Sequence, residues 1–275
     1  MSIKYLYLLL VSVFSWQLNA QPLFDSHIHY SSEQAKRLSP KAVLQQLDKN
    51  AIRYAAVISA PSEYANELYK LAPERIVPVL SIYRDDKDKA NWVHDETVIQ
   101  HLNKELERGY WQGIGELHIF ASDRHSEVFE KIIALASAKQ LPLLLHADPA
   151  VIDRLYEIAP EQPVLWAHSG TYPYPDLVAD YLRRYTNLSI DVSMRDERIA
   201  PDGVIADDWY QLFVSYPDRI MIGVDTYSDA RWREYESAVI TIRNWLAQLP
   251  DEVTLQLAVN NAARLYKKPL SIKAE

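Results

Sequence analysis

The stretch PLFDSHIHY, residues 22–30, carries two histidines one residue apart at the end of a short apolar run. Alternate side chains of an extended strand share a face, so Asp25, His27 and His29 are expected to point to the same side. Two imidazoles on one face of a strand can bind a single metal ion. An isolated pair of this kind also fits two hydrogen-bonded structural histidines, so its meaning depends on whether further ligands occur downstream.

This stretch contains the first of eight short runs that are aliphatic or β-branched and often apolar on both faces. Runs of this kind are typical of a parallel sheet that is covered by helices. The runs span residues 23–29, 54–59, 76–82, 113–117, 142–146, 163–168, 187–192 and 219–225.

Amphipathic segments separate the runs, and many of them begin near a proline or serine, which predicts helices. They span residues 40–50, 62–72, 95–109, 126–140, 149–159, 175–185, 208–216 and 231–249. Eight strand–helix pairs predict an α/β fold, a (β/α)8 TIM barrel, as one domain over residues 21–275. The active site of this fold lies at the C-terminal ends of the strands. A doubly wound open sheet is the structural alternative.

Side chains that can bind metal end five of the eight runs. They are His27 and His29 on the first run, Glu116 on the fourth, His146 on the fifth, His168 on the sixth and Asp225 on the eighth. Each of them alone has an ordinary structural explanation. In a barrel, however, all of these imidazoles and carboxylates converge on one mouth, and together they predict a metal site.

These same residues resemble a known group of enzymes. The DxHxH pattern at Asp25, the histidines of LLLHA and WAHSG, and the aspartate of GVDT are similar to the amidohydrolase superfamily. NAARLY, residues 261–266, resembles the closing helix of its amidohydrolase-related, or amidohydrolase-2, family. The resemblance implies a divalent metal, with zinc as the expected ion. The ligands that it implies are His27, His29, His146 and Asp225.

The resemblance leaves the number of ions open. Many relatives with two ions bridge them through a carboxylated lysine at the end of the fourth strand, where this chain has Glu116. A TatD-type nuclease branch is similar in using a glutamate in this part of the barrel. Glu116 is therefore expected either to bridge two ions or to support a single one from outside its ligand set.

The implied activity is metal-dependent hydrolysis of an amide, ester or lactone bond. A bound zinc lowers the pKa of water from near 16 to roughly 7. Asp225 is expected to orient that water and take its proton, and His168 to stabilise the oxyanion or protonate the leaving group. The alternatives are a metal-dependent decarboxylase, a TatD-like phosphodiesterase or nuclease, and a metal-binding protein without catalysis.

Three further residues are assigned supporting roles. Asp25 is expected to orient a metal ligand without binding the ion itself, unless it only packs the barrel. Arg84 and Arg195 follow the third and seventh runs, where they can pair with a carboxylate of the substrate.

Composition limits the partners and the location of the chain. A net charge of −8 disfavours nonspecific binding to nucleic acid, so a small-molecule substrate is expected and nucleic acid is not. Residues 1–20 have the layout of a cleavable signal peptide, too short for a stable membrane span, with a buried N-terminal helix as the alternative. The absence of cysteine is compatible with a periplasmic or secreted enzyme that relies on a large core rather than disulfides. The oligomeric state stays open.

Overall fold

The computed structural model describes residues 21–85 and 87–270, in which eight parallel strands follow one another around a single sheet. The strands are β1 (Leu23–His29), β2 (Ile52–Ile58), β3 (Ile76–Leu80), β4 (Gly113–Ile119), β5 (Leu143–Ala147), β6 (Val164–Trp166), β7 (Leu188–Asp191) and β8 (Ile220–Met221). Past the end of β8, the Asp225 amide donates to the His27 carbonyl at 2.8 Å, which joins the last strand to the first. The predicted (β/α)8 barrel is therefore confirmed.

Helices lie between successive strands and after β8, most of them on the outside of the barrel. They are α1 (Ser32–Ala35), α2 (Pro40–Lys49), α3 (Glu63–Leu71), α4 (Thr97–Leu106), α5 (Glu127–Lys139), α6 (Pro149–Ile158), α7 (Pro175–Arg184), α8 (Asp196–Ile199), α9 (Asp207–Ser215), α10 (Asp229–Arg233), α11 (Tyr235–Leu246), α12 (Asp251–Leu255) and α13 (Asn261–Leu265). Ser39 and Ser126 cap α2 and α5 through their side chains, as the sequence signals predict. The predicted helix over residues 231–249 is divided into α10 and α11.

The apolar residues form two layers. The larger layer lies between the strands and the helices, where the outward side chains of the sheet meet the apolar faces of the helices. The smaller one, which we call the interior cluster, fills the barrel. Its members are Phe24, Tyr54, Ala56, Ile58, Val77, Val79, Leu144, Leu165, Ala167, Met221, Val259, Ala262, Ala263 and Tyr266.

The C-terminal segment closes the N-terminal end of the barrel. A π-helical turn, Gln256–Asn260, connects α12 to α13, and the Tyr266 ring stacks on Phe24 with centroids 5.8 Å apart. The Asn261 side chain donates to the Ile220 carbonyl at 2.6 Å, which fixes α13 against β8. With this end filled, the opposite mouth is the open end of the barrel.

Four strands, β3, β6, β7 and β8, are shorter than the runs that predicted them, and at two of them a predicted ligand falls outside the strand. β6 ends at Trp166 and β8 ends at Met221, so His168 and Asp225 lie in the connections that follow rather than on the strands. The proposed signal peptide, residues 1–20, lies outside the described residues. Among the described helices, none has the length and apolar character needed to cross a bilayer.

Candidate metal centre

The C-terminal mouth of the barrel brings together all of the predicted metal ligands. β1 contributes His27 and His29, β4 contributes Glu116, β5 contributes His146, and the connections after β6 and β8 contribute His168 and Asp225. A further histidine, His118, joins them from β4. Parallel strands all end at the same rim, which is why residues up to about 200 positions apart in the chain meet here.

The Glu116 carboxylate lies at the centre of the cluster, within 3.5 Å of five imidazole nitrogens. Its Oε2 atom lies 3.5 Å from His27 Nε2, 3.3 Å from His29 Nε2 and 3.2 Å from His118 Nε2. Its Oε1 atom lies 3.3 Å from His146 Nδ1 and 3.4 Å from His168 Nε2. One carboxylate therefore faces two sets of imidazoles, one through each oxygen.

Asp225 approaches the same histidines from β8. Its Oδ1 atom lies 3.5 Å from His29 Nε2, and its Oδ2 atom lies 3.8 Å from His168 Nε2. The backbone of both Asp225 and His168 is left-handed, with φ of 56° and 58°. Such conformations are unfavourable for residues with a Cβ and concentrate at functional sites. Here they turn the two side chains back over the rim.

Several buried ligand atoms have no hydrogen-bond partner among the described residues. They are Glu116 Oε1, His146 Nδ1 and Asp225 Oδ1. Leaving such an atom unpaired costs about 1–3 kcal/mol, whereas each of the three is a good ligand for a divalent cation. The ligand atoms also fall into three groups within 4.8 Å, namely His27–Glu116–His168, His27–His29–Asp225 and Glu116–His118–His146. The residues present thus fit a divalent metal.

The charges of the cluster are strongly coupled. Burial alone would raise the pKa of Glu116, but the charge of His27 and the hydrogen bond from His118 hold that pKa well below its usual range. Burial disfavours the charged form of His27, yet the surrounding carboxylates, Glu116 foremost, raise its pKa well above the ordinary value. The site thus favours positive charge next to its carboxylates, which a metal cation can also supply.

Two residues that the sequence analysis did not select support His27 and His168 from below. Asp191, the last residue of β7, is fully buried, and its Oδ2 atom lies 3.1 Å from His27 Nδ1. Ser193 Oγ lies 2.8 Å from His168 Nδ1. Because Asp191 ends an apolar run as the predicted ligands do, its position was a usable signal. Likewise, His118 follows Glu116 by two residues, the spacing of the two β1 histidines.

Asp25 does not share the face of the two β1 histidines, so the predicted alternation was wrong at this residue. The pairing of β1 with β2 is irregular between Asp25 and Ile28, and Phe24, not Asp25, enters the interior cluster. Asp25 is instead buried beside α11, where it accepts a 2.8 Å hydrogen bond from the Tyr235 hydroxyl. It also accepts from the backbone amides of His27 and Val224, so a positioning role for Asp25 stays a prediction.

The two predicted substrate arginines lie in different surroundings. Arg84 is held by Asp88 and Asp95 at 2.7 and 2.6 Å, and it does not line the cavity above the metal ligands. Arg195 does line it, although its guanidinium also donates to the carbonyls of His168 and Gly170. Substrate binding by either arginine stays a prediction, and the structure places only Arg195 where it can act on a bound molecule.

This cavity has a volume of about 410 Å³ and opens above the cluster. Glu116, Asp225 and four of the histidines form part of its lining. The rest of the lining includes Ile58, Tyr83, the acidic Glu33 and two cationic side chains, Lys89 and Arg195. A small molecule that enters this cavity therefore meets both the proposed metal ligands and positively charged side chains.

The first six strands of the barrel and the helices between them lie in a part of the sequence that matches a protein family. The family of TatD related DNases matches residues 24–181, more than half of the chain. The chain belongs to this TatD-related family. The matched segment includes β1 to β6 and therefore His27, His29, Glu116, His146 and His168, whereas Asp225 lies beyond it.

Solved structures extend the TatD-related comparison over nearly the whole chain. A protein assigned as a 2-pyrone-4,6-dicarboxylic acid hydrolase from Pseudomonas putida is 16% identical, with a TM-score of 0.65 over 91% of this chain and 99% of that one. A TatD family hydrolase from Entamoeba histolytica is 11% identical, with a TM-score of 0.60 over 90% of this chain and 100% of the other. An adenosine deaminase from Xanthomonas campestris with bound zinc is 14% identical, with a TM-score of 0.54 over 90% of this chain and 66% of the other. These likenesses show a shared fold.

No curated protein matches the sequence at a significant level. Membership of the TatD-related family nevertheless confirms the predicted amidohydrolase superfamily and the predicted metal-dependent hydrolase, and the neighbours share the fold. The narrower resemblance to the amidohydrolase-2 family, based on NAARLY, is not confirmed.

Proposed function

We propose that the protein uses zinc to hydrolyse an amide, ester or lactone bond of a small molecule bound in the cavity. The observation that carries this proposal is the position of Glu116, a buried carboxylate between two sets of imidazoles with one oxygen unpartnered among the described residues. The mixture of imidazole and carboxylate ligands is one that zinc accepts in catalytic sites. The zinc bound by the adenosine deaminase neighbour supports the same choice.

The arrangement favours two ions rather than one. His27, His29 and Asp225 would hold the first, and His118 and His146 the second, with Glu116 shared between them. A carboxylate is suited to this shared position because its two oxygens can contact more than one cation. Its Oε2 atom lies next to both His29 and His118, and its Oε1 atom lies next to His146. When bound, such ions lower the pKa of water and polarise the bond under attack.

Two side chains of the cluster have the geometry for proton transfer. Asp225 Oδ1 is buried and has no partner within the described part of the chain, so it can accept the proton of an attacking water. His168 Nε2 lies 3.4 Å from Glu116 Oε1 and 3.8 Å from Asp225 Oδ2, at the cavity wall. From this position, a protonated His168 can donate to a developing oxyanion or to the leaving group.

The cavity supports a small substrate with a negatively charged group. Its volume of about 410 Å³ is at the lower end of the usual range for small-molecule sites. Lys89 and Arg195 can pair with a carboxylate while the bond to be cleaved faces Glu116. The Pseudomonas putida neighbour is named for hydrolysis of a dicarboxylic acid, which supports including cyclic and open-chain acids among the trial substrates.

A phosphodiester is the second candidate substrate, because the matched family is described as TatD related DNase. The net charge of −8 argues against an extended polyanion. Hydrolysis of carboxylic esters, lactones, amides, a chromogenic phosphodiester and single-stranded oligonucleotides by the zinc-loaded protein should be compared directly. Turnover of the oligonucleotide alone would replace our proposal with a nuclease, and release of carbon dioxide from an unsaturated acid would replace it with a decarboxylase.

Metal analysis of matched variants tests the centre itself. The purified protein should hold two zinc ions per chain, whereas Glu116→Gln should retain about one, because the amide removes the negative charge between them. His29→Ala and His146→Ala should each lose one ion. His125→Ala, which alters an exposed histidine outside the cluster, is the control and should keep both. A protein that holds two ions and keeps both after Glu116→Gln would contradict the shared ligand, and a protein without metal would contradict the centre.

We also propose that the mature enzyme is periplasmic or secreted, on the basis of the leader-like residues 1–20. N-terminal sequencing of the exported protein tests this location.

A further inference from the structure

A buried network beneath the metal ligands connects β7 to two of the histidines. Asp191 Oδ2 lies 3.1 Å from His27 Nδ1, and Asp191 Oδ1 accepts the hydroxyl of Ser193. The same oxygen accepts the backbone amides of His168 and Ser193, at 3.1 and 2.9 Å. Asp191 and Ser193 are both fully buried, and neither of them belongs to the ligand groups.

The direction of these hydrogen bonds determines where the imidazole protons sit. A carboxylate can only accept, so His27 carries a hydrogen on Nδ1. When a cation takes the place of the second imidazole proton, it is the Nε2 lone pair that faces Glu116 and His29. Ser193 uses its hydroxyl hydrogen for Asp191, so its Oγ atom is left to accept from His168 Nδ1 at 2.8 Å. His168 Nε2 then faces Glu116 in turn.

We propose that Asp191 and Ser193 are positioning residues that fix the tautomers of His27 and His168, so that both Nε2 atoms point into the metal centre. Asp191 acts directly on His27 and, through the Ser193 hydroxyl, on His168. This inference rests on the proposed metal centre. Asp191 and Ser193 would contact neither the ion nor the substrate. They would determine which ring nitrogen of His27 and His168 is free to bind the ion or transfer a proton.

The experiment compares wild type, Asp191→Asn and Ser193→Ala by nitrogen NMR of the histidine side chains in the zinc-bound protein, together with zinc titration of the metal-free protein. In the wild type, His27 and His168 should both carry hydrogen on Nδ1 when neutral. In Asp191→Asn the His27 signals should move towards the other tautomer, because the amide can donate to Nδ1, and zinc affinity should fall about 10–100-fold. In Ser193→Ala the His168 signals should change most, because His168 Nδ1 loses the Ser193 Oγ atom at 2.8 Å and keeps only the Ser193 carbonyl at 3.3 Å. The His27 signals should change less, since Ser193 Oγ lies 3.5 Å from His27 Nδ1.

Asp196→Asn is the matched control, because Asp196 lies on the same connection after β7 but accepts from the Trp245 indole instead. It should leave the tautomers and the zinc affinity unchanged. If Asp191→Asn keeps the wild-type His27 tautomer and binds zinc within about twofold of wild type, the positioning role is wrong, although the centre stands. A wild type that binds no zinc would instead contradict the proposed centre. Should Asp191→Asn fail to fold, the His168 response of Ser193→Ala decides the question.

Discussion

At the scale of single residues, the site depends on backbone conformations that the local sequence does not favour. His168, Ser169, Met194 and Asp225 all have positive φ, between 56° and 61°, and all follow the ends of β6, β7 or β8. Asparagine tolerates this region better than most residues because its short polar side chain can bond locally. An asparagine substitution at Asp225 should therefore change the chemistry of the side chain without disturbing the backbone.

Replacing Asp225 by asparagine should abolish proton transfer while leaving the barrel intact. We expect kcat to fall by at least about 100-fold, because a positioned base contributes on this scale. The melting temperature of the metal-free protein should stay close to wild type. Asp202→Asn is a matched control, since Asp202 has a φ of 54° in an exposed turn away from the site. Full activity in Asp225→Asn would show that another group accepts the proton.

Gly115 lies where the backbones of β4 and β5 approach each other closely, which leaves no space for a side chain. It has a φ of +149°, and a Cβ at this position would clash with the carbonyl oxygen of Leu144 and lie 2.8 Å from its Cβ. Gly115→Ala must therefore push β4 away from β5 and move the adjacent Glu116. We expect a lower melting temperature and a loss of bound zinc, although no ligand has been changed.

Gly203→Ala is the control for this prediction. Gly203 also has a positive φ, +82°, but its added methyl would meet no atom within 4 Å. It should cost stability through backbone strain, about 1 kcal/mol or more, without loss of zinc. Equal zinc content in the two variants would argue against a link between the Gly115 contact and the position of Glu116.

At the scale of elements, the irregularity in β1 ties a strand to a helix. Asp25 leaves the barrel interior and accepts from Tyr235 of α11, and it also accepts from the Val224 amide next to Asp225. One buried carboxylate thus holds β1, the end of β8 and α11 together. Burial raises the pKa of Asp25 to about 6, with the hydrogen bonds from Val224 and Tyr235 opposing the rise.

Tyr235→Phe should reveal the energetic contribution of this contact. Losing the hydroxyl leaves Asp25 Oδ2 buried without its partner, which should lower the free energy of unfolding by about 1–3 kcal/mol. Urea denaturation followed by tryptophan fluorescence measures the change. Tyr227→Phe removes a hydroxyl from a side chain that is 57% exposed and should have no effect on stability. A Tyr235→Phe variant as stable as wild type would mean that the hydroxyl contributes nothing beyond packing.

The sequence predicted elements better than it predicted the directions of side chains. All eight strands lie where apolar runs occur, because a strand buried on both faces must be apolar almost throughout. The positions of candidate ligands at the ends of runs also predicted which side chains, His118 apart, meet at the mouth of the barrel. Asp25 was misplaced because strict alternation fails wherever a strand is irregular. The sharp turns at His168 and Asp225 were not predicted, because left-handed backbone is uncommon even for histidine and aspartate, the residue types that adopt it more often than most.

At the scale of the whole molecule, the proposed export of the chain makes one prediction about its N-terminus. If residues 1–20 are a signal peptide, N-terminal sequencing of protein from the periplasm or medium should begin near Gln21. A version that starts at a new methionine before Gln21 should remain in the cytoplasm and serves as the control. Protein that keeps Met1 and stays in the cytoplasm would contradict the proposed location.

The junction between the last strand, β8, and the first, β1, has a consequence for the synthesis of the protein. The hydrogen bond from the Val224 amide to Asp25 joins residues 199 positions apart, and the stack of Tyr266 on Phe24 spans still more of the chain. A ribosome must therefore release almost the entire polypeptide before β1 gains its second neighbour or the barrel floor is sealed. Until then Phe24 and one edge of β1 stay exposed, and the nascent chain cannot complete its fold. Closure of the barrel must therefore wait until synthesis of the chain is nearly finished.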